Sequence, residues 1–205
     1  MKLGYKISLL VVGILLAIST TIGSSYAVWT ITETQETSNE VTSGCFSLSY
    51  TDVFDEKSTH INLPNAYPIT DEKGLSLSPY TVVLKNTCNI AAKYDLTITT
   101  DSNNTLSEEY LKTNLVNITT NTAFDTKKLN KLTKVNLDEN LIETLTTKNG
   151  ITINNTYLLA NGVLNPDEEV KYELRIWLDK DAPNETMNSK FTAAVSNVAY
   201  ATESK

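Results

Sequence analysis

VKYELRIWL, which runs from Val170 to Leu178, is the stretch of this sequence that decides the fold most clearly. Its apolar residues fall at every second position, and this period of two is typical of a strand with one face against a core. Trp177 falls on the otherwise polar face. The pattern leaves open whether Trp177 lies in the core beneath a second layer or is an exposed contact.

Similar short runs, alternating or rich in β-branched residues, recur along the chain between Gly, Pro and Asn turns. They lie at 28–34, 45–50, 60–63, 80–84, 94–98, 115–119, 151–153, 157–159, 170–178 and 191–195. Helical segments do not alternate with these runs as they would in a parallel sheet. The sequence therefore predicts an all-β protein, an antiparallel β-sandwich of jelly-roll or immunoglobulin-like type.

Two local predictions concern the middle of the chain. The run from Val82 to Ile98 is expected to form a hairpin with Cys88 at or near its turn. The periodicity loosens around 101–150, which is expected to be a partly helical insertion. Within it, Ser107 is a candidate cap for a helical turn. A surface helix is predicted where apolar residues recur at helical spacing: Leu137, Leu141, Ile142 and Leu145.

The N-terminus has the organisation of a secretory signal peptide. Two lysines precede an apolar run of about a dozen residues, which is shorter than the ~20 that a spanning helix needs. The small residues of Ser25-Tyr26-Ala27 predict cleavage between Ala27 and Val28. The alternative is a retained N-terminal membrane anchor. We expect three regions: a signal peptide at 1–27, a strand with a polar tether at 28–40, and the sandwich domain at 41–205.

Composition and charge narrow the class of function. The signal segment holds two of the 17 basic and none of the 24 acidic residues, so 15 − 24 leaves a net charge of −9 after cleavage. Such an acidic chain argues against nucleic acid as a partner. Thr and Asn make up about a quarter of the residues, a bias typical of exposed strands and turns.

The two cysteines, Cys45 and Cys88, form an even count in a chain expected to be exported, which favours a disulfide. A bridge closing a loop of this length would stabilise the fold by roughly 4 kcal/mol before any strain. Two buried free thiols are the alternative.

The sequence offers few candidate catalytic residues. His60 is the one histidine, and no zinc-protease or nucleophile-elbow motif occurs. Glu173 and Asp95 could form a carboxylate pair, but nothing distinguishes them from solvated strand residues. The acidic loop that begins at Asp179 lacks the spacing of a calcium-binding EF-hand. We therefore expect neither an enzyme nor a metal or other cofactor.

Several segments resemble the TasA/camelysin family of exported Gram-positive proteins, which are processed by a dedicated SipW-type signal peptidase. The resemblance is carried by IGSSYAVW at 22–29, Asn39, Ser43-Gly44, Pro79 to Thr87 and the strand pair 170–178 and 191–195. It thins out over 101–150. The two cysteines depart from the cysteine-poor pattern of that family.

The resemblance implies a secreted structural protein that self-associates into extracellular biofilm-matrix fibres or a cell-surface coat. In that family the segment freed by signal cleavage enters the next subunit as a donor strand. The donor-strand contacts would here be Val28, Trp29, Thr30 and Ile31. Membrane contact would come only through the signal peptide. The alternatives are a monomeric secreted adhesin or binding module and, third, a hydrolase.

Overall fold

The computed structural model describes residues 30–34, 41–43, 46–51, 60–64, 66–137, 142, 146–147 and 150–201. These residues form two antiparallel sheets packed face to face, which confirms the predicted all-β sandwich. Sheet A contains β1 (Thr30–Thr34), β4 (Ile61–Pro64), β6 (Ala92–Asp101), β10 (Ile153–Leu164) and β12 (Lys190–Ala201). Sheet B contains β2 (Val41–Ser43), β3 (Phe46–Thr51), β5 (Tyr80–Asn86), β7 (Leu111–Asn117), β8 (Thr122–Ala123), β9 (Lys127–Lys128) and β11 (Glu169–Leu178).

Sheet A has the order β1-β12-β6-β10, with β4 also paired to β12. Sheet B has the order β2-β3-β5-β11-β7-β8, with β9 also paired to β7. Every ladder between these strands is antiparallel. The strand predicted from 170–178 is therefore central, because β11 pairs with β5 on one side and β7 on the other.

The core lies between the sheets and is built from the alternating apolar residues on their inner faces. On β11 these are Tyr172, Leu174 and Ile176, all nearly inaccessible to solvent. The Tyr172 hydroxyl meets the Tyr94 hydroxyl of β6 across the core at 2.6 Å. This hydrogen bond satisfies two polar groups that would otherwise be buried without a partner.

The hairpin predicted over 82–98 is wrong. The first strand, β5, belongs to sheet B and the second, β6, to sheet A, so the chain crosses between sheets at 87–91. Val82 and Ile98 share the core from opposite sheets. Two strands with alternating apolar residues show the same pattern whether they lie side by side or face to face, and the sequence did not distinguish these arrangements.

Trp177 is buried although it lies on the outer face of sheet B, with 2% of its surface exposed. It is covered by α1 (Asp71–Leu75), the α-helix described in full. Gly74 of α1 rests against the indole so closely that an added Cβ would overlap the ring. The open question about Trp177 is thus resolved in favour of burial beneath a second layer.

The segment from 101 to 150 is more than a peripheral insertion, because β7 runs beside β11 for seven residue pairs. Ser107 caps a 3₁₀ turn at Glu108–Tyr110, as expected from its position. Further 3₁₀ turns lie at Leu129–Lys131 and Asn184–Thr186. The helix predicted from Leu137 to Leu145 falls largely on residues outside the described ranges.

Candidate functional site

One edge of β12 is the candidate assembly site. Along its other edge β12 pairs with β6 from Ala193 to Ala201. The candidate edge is divided between two short strands: β4 pairs with residues 190–193, and β1 pairs with residues 196–200. β1 is an end strand of sheet A, joined to the sheet along one side only.

The register of β1 places Thr30 opposite Tyr200, Ile31 opposite Ala199 and Thr34 opposite Ser196. Thr30 and Ile31, two of the expected donor-strand residues, therefore lie beside β12 of their own chain. Val28 and Trp29 fall outside the described ranges, as does the predicted cleavage position at Ala27. The main-chain ladder between β1 and β12 is independent of side-chain identity, so an equivalent strand from another copy could form it equally well.

Residues 196–198 of β12, which lie beside β1, are buried on both faces of the sheet. On the outer face, the Ser196 hydroxyl lies 2.9 Å from the Thr97 hydroxyl, and Val198 packs with Leu137 and Ile153. Asn197 lies two residues after Val195 and therefore on the same, inner face of the sheet. Neither amide atom of Asn197 has a hydrogen-bond partner although the residue is completely buried. An unpaired buried polar group costs roughly 1–3 kcal/mol, so Asn197 weakens this part of the sheet.

The crossing from sheet B to sheet A is held by Asn86, a completely buried residue that the sequence did not single out. Its Nδ2 donates to the carbonyls of Ile90, Leu164 and Asn165 at 2.8, 3.0 and 3.2 Å. Its Oδ1 accepts from the Cys88 amide at 3.0 Å. One buried side chain thus joins the end of β5 to the turn between β10 and β11.

Cys88, half-buried beside this junction, is disulfide-bonded. The chain has one other cysteine, Cys45, which lies outside the described ranges. Residue 46 begins β3, which pairs with β5 from Phe46 opposite Asn86 onwards. A covalent bond at Cys88 therefore reinforces the same crossing that Asn86 holds by hydrogen bonds.

The residues considered for catalysis do not converge. Glu173 lies on β11 of sheet B and its carboxylate accepts a hydrogen bond from the Arg175 guanidinium at 3.1 Å, whereas Asp95 lies on β6 of sheet A. His60 immediately precedes β4. Within the described ranges no group of three or more His, Cys, Asp and Glu side chains is placed to hold a metal ion.

Asp179, at the start of the acidic loop, is a buried structural anion. Its carboxylate lies 3.5 Å from the Lys112 ammonium and 3.4 Å from the Lys128 ammonium. Burial alone would raise the pKa of Asp179, but the Asp181 amide and the two lysines outweigh burial and lower it. The loop is therefore tied to β7 and β9 by charge.

A second polar cluster closes one end of the space between the sheets. Glu108 accepts hydrogen bonds from Thr100, Asn155 and the Tyr157 hydroxyl. Burial and then the Glu108 carboxylate raise the pKa of Tyr157, which keeps the phenol protonated and donating. A polar cavity of about 570 Å³ opens beside this cluster. Sequence reasoning identified only the neighbouring cap, Ser107.

A scan against protein-family models and a search of curated proteins both find no match to this chain. The fold on its own therefore defines the class of protein, an antiparallel β-sandwich. In the part of the chain that the structure describes, no helix is long and apolar enough to cross a membrane.

Proposed function

We propose that this chain is a secreted structural subunit that assembles into extracellular fibres or a surface coat. After signal cleavage, β1 of one copy would leave its own β12 and pair with β12 of the next copy. The observation that carries the proposal is the position of β1: a short terminal strand, held on one side, at the edge of sheet A. The sequence resemblance to the TasA/camelysin family supports the same conclusion.

The exchange has a low energetic cost in principle. The contacts that β1 makes with β12 are the same within one chain and between two chains, so exchange mainly changes the entropy of association. A head-to-tail contact that does not close into a ring continues into a filament. The polar tether predicted at 35–40 gives the strand the length to reach a neighbour.

Signal cleavage would act as the assembly switch. Before cleavage, the apolar segment would keep residues 1–27 at the membrane, only two residues ahead of Thr30. A strand anchored in this way could not enter another subunit freely. The partners implied are therefore a signal peptidase and further copies of this chain.

The test compares the processed chain, residues 28–205, with a variant that lacks residues 28–36. Electron microscopy and size measurement over time should show filaments for the first and monomers for the second. A matched control replaces Gln35, in the predicted tether, with Ala and should still assemble. Filaments from the deletion variant would contradict the exchange mechanism, and a lasting monomer of the complete processed chain would favour the binding-module alternative.

A further inference from the structure

Three reactive side chains meet at the end of the sandwich where Glu108 lies. The Lys134 ammonium donates to Asn155 Oδ1 at 2.7 Å. The Nδ2 atom of the same Asn155 carboxamide donates to both Glu108 oxygens, at 3.2 and 3.0 Å. An amine, a carboxamide and a carboxylate are thus joined by hydrogen bonds, and the carboxamide lies between the other two groups.

Each of the three groups is held by a different part of the fold. Lys134 forms an isolated antiparallel bridge opposite Tyr157, flanked by main-chain hydrogen bonds of 2.9 Å from Val135 to Thr156 and from Leu158 to Thr133. Asn155 lies on β10, and Glu108 opens the 3₁₀ turn capped by Ser107. Orientation of this kind converts a reaction between two separate molecules into one within a single structure.

The surroundings restrict the motion of these groups. Thr100 and Tyr157 donate to Glu108 from the inner face of sheet A, and both are almost completely buried. The Lys134 ammonium also lies 5.9 Å from the centre of the Tyr157 ring. Asn154 Nδ2 also donates to Glu108, at 3.3 Å. The carboxylate, held by four donor side chains, would be a fixed acceptor for protons at the carboxamide nitrogen.

We propose that Lys134 and Asn155 are a modification site, at which an amide bond forms between the two side chains with Glu108 as the catalytic carboxylate. The amine nitrogen of Lys134 attacks Cγ of Asn155, the new N–C bond forms, and the bond from Cγ to Nδ2 breaks. Of the three ammonium protons of Lys134, one stays on the new amide. The other two move to Nδ2, with Glu108 as the carrier, and the nitrogen leaves as ammonium ion.

The reaction needs no oxidant, reductant or cofactor, because the atoms lost are those of one ammonia. Its product would join the segment before residue 138 covalently to β10, closing the chain between two residues 21 positions apart. A side-chain amide resists reduction, unlike the disulfide at Cys88.

The test is the intact mass of the folded, purified processed chain, followed by peptide mapping. The expected result is a mass lower by one ammonia and a branched peptide that joins Lys134 to Asn155. Glu108→Gln and Lys134→Arg should each retain the full mass, apart from the substitution. Lys131→Arg, a lysine in the same segment, is the matched control and should still lose ammonia.

Two results would overturn the proposal. One is the full unmodified mass in the unsubstituted chain, which decides the matter even if a variant fails to fold. The other is loss of ammonia without a branched peptide, because an asparagine that cyclises on its own main chain loses ammonia without joining Lys134. Formation of the branched peptide in Glu108→Gln at the unsubstituted rate would remove the catalytic role of Glu108 while retaining the link.

Discussion

Asn197 and Asn86 are two completely buried asparagines for which the structure predicts opposite responses to the same substitution. Both atoms of the Asn197 amide are unpaired, whereas Asn86 bonds to four main-chain groups. Leucine has the same branching and number of side-chain heavy atoms as asparagine and no polar atoms. Replacing Asn197 with Leu removes a desolvation penalty, and we expect the free energy of unfolding to rise by about 1–3 kcal/mol.

Asn86→Leu should do the reverse. It removes the Asn86 hydrogen bonds to three carbonyls and to the Cys88 amide, and one of those carbonyls, that of Leu164, is in a buried contact. Water can replace part of the loss at the half-buried contacts, so we expect a decrease of about 2–4 kcal/mol. The two variants therefore differ in sign although the substitution is identical.

Urea unfolding followed by circular dichroism measures both effects. The midpoint should move up for Asn197→Leu and down for Asn86→Leu, with little change in the slope against urea concentration. A destabilised Asn197→Leu protein would refute the reasoning that the unpaired buried amide is a net cost to stability at this position. An Asn86→Leu protein within about 0.5 kcal/mol of the unsubstituted chain would refute the assigned role of that junction.

Three further predictions concern packing and pH. Gly74→Ala should force α1 away from Trp177, lowering stability by about 1–3 kcal/mol and shifting the tryptophan fluorescence to longer wavelength; unchanged stability and fluorescence would contradict the close contact. Burial and then the Tyr172 hydroxyl raise the pKa of Tyr94 above 10.0, so the unfolded chain ionises first and stability should fall as the pH rises beyond that value. Urea midpoints measured against pH should show a smaller loss of stability for Tyr94→Phe. Despite the opposing effect of burial, the pKa of Asp179 is lowered below 3.8. The contribution of its carboxylate to stability is therefore present above that value and is lost as the pH falls through the folded-state pKa. Asp179→Asn should flatten this fall in stability at acid pH, and an unchanged fall would show that the carboxylate does not contribute.

The strands were predictable where one face is apolar and the other polar. Val170 to Leu178 shows this pattern over nine residues, and the structure places it at the centre of sheet B. The same signal fails to give strand neighbours, which is why β5 and β6 were expected to pair as a hairpin but lie in different sheets. Periodicity indicates which residues of a strand face the core. It does not indicate to which of the two sheets the strand belongs.

Polar residues that organise the structure were harder to predict. Asn86, Glu108 and Asn197 acquire their roles from groups far away in sequence; the Asn86 contact with Leu164, for example, spans 78 positions. Asn is abundant in this chain and is typical of turns, so its presence at the two buried positions 86 and 197 has no local signature. Of the candidate assembly segment, the strand character of 30–34 was predictable from sequence, whereas its partner, β12, was not.

The central claim is that β1 can pair with β12 of another copy, and a mixing experiment tests it most directly. Thr32 lies opposite Val198 in the ladder, and facing residues of neighbouring strands are close enough for a disulfide. One processed chain carries Thr32→Cys and another carries Val198→Cys, and the two are mixed and oxidised mildly. A chain with both substitutions is the control, in which the disulfide forms within one chain. Strand exchange predicts a disulfide-linked product that contains one chain of each variant, identified by peptide mass. If this product is absent from the mixture although the double variant forms its internal disulfide, the account is contradicted.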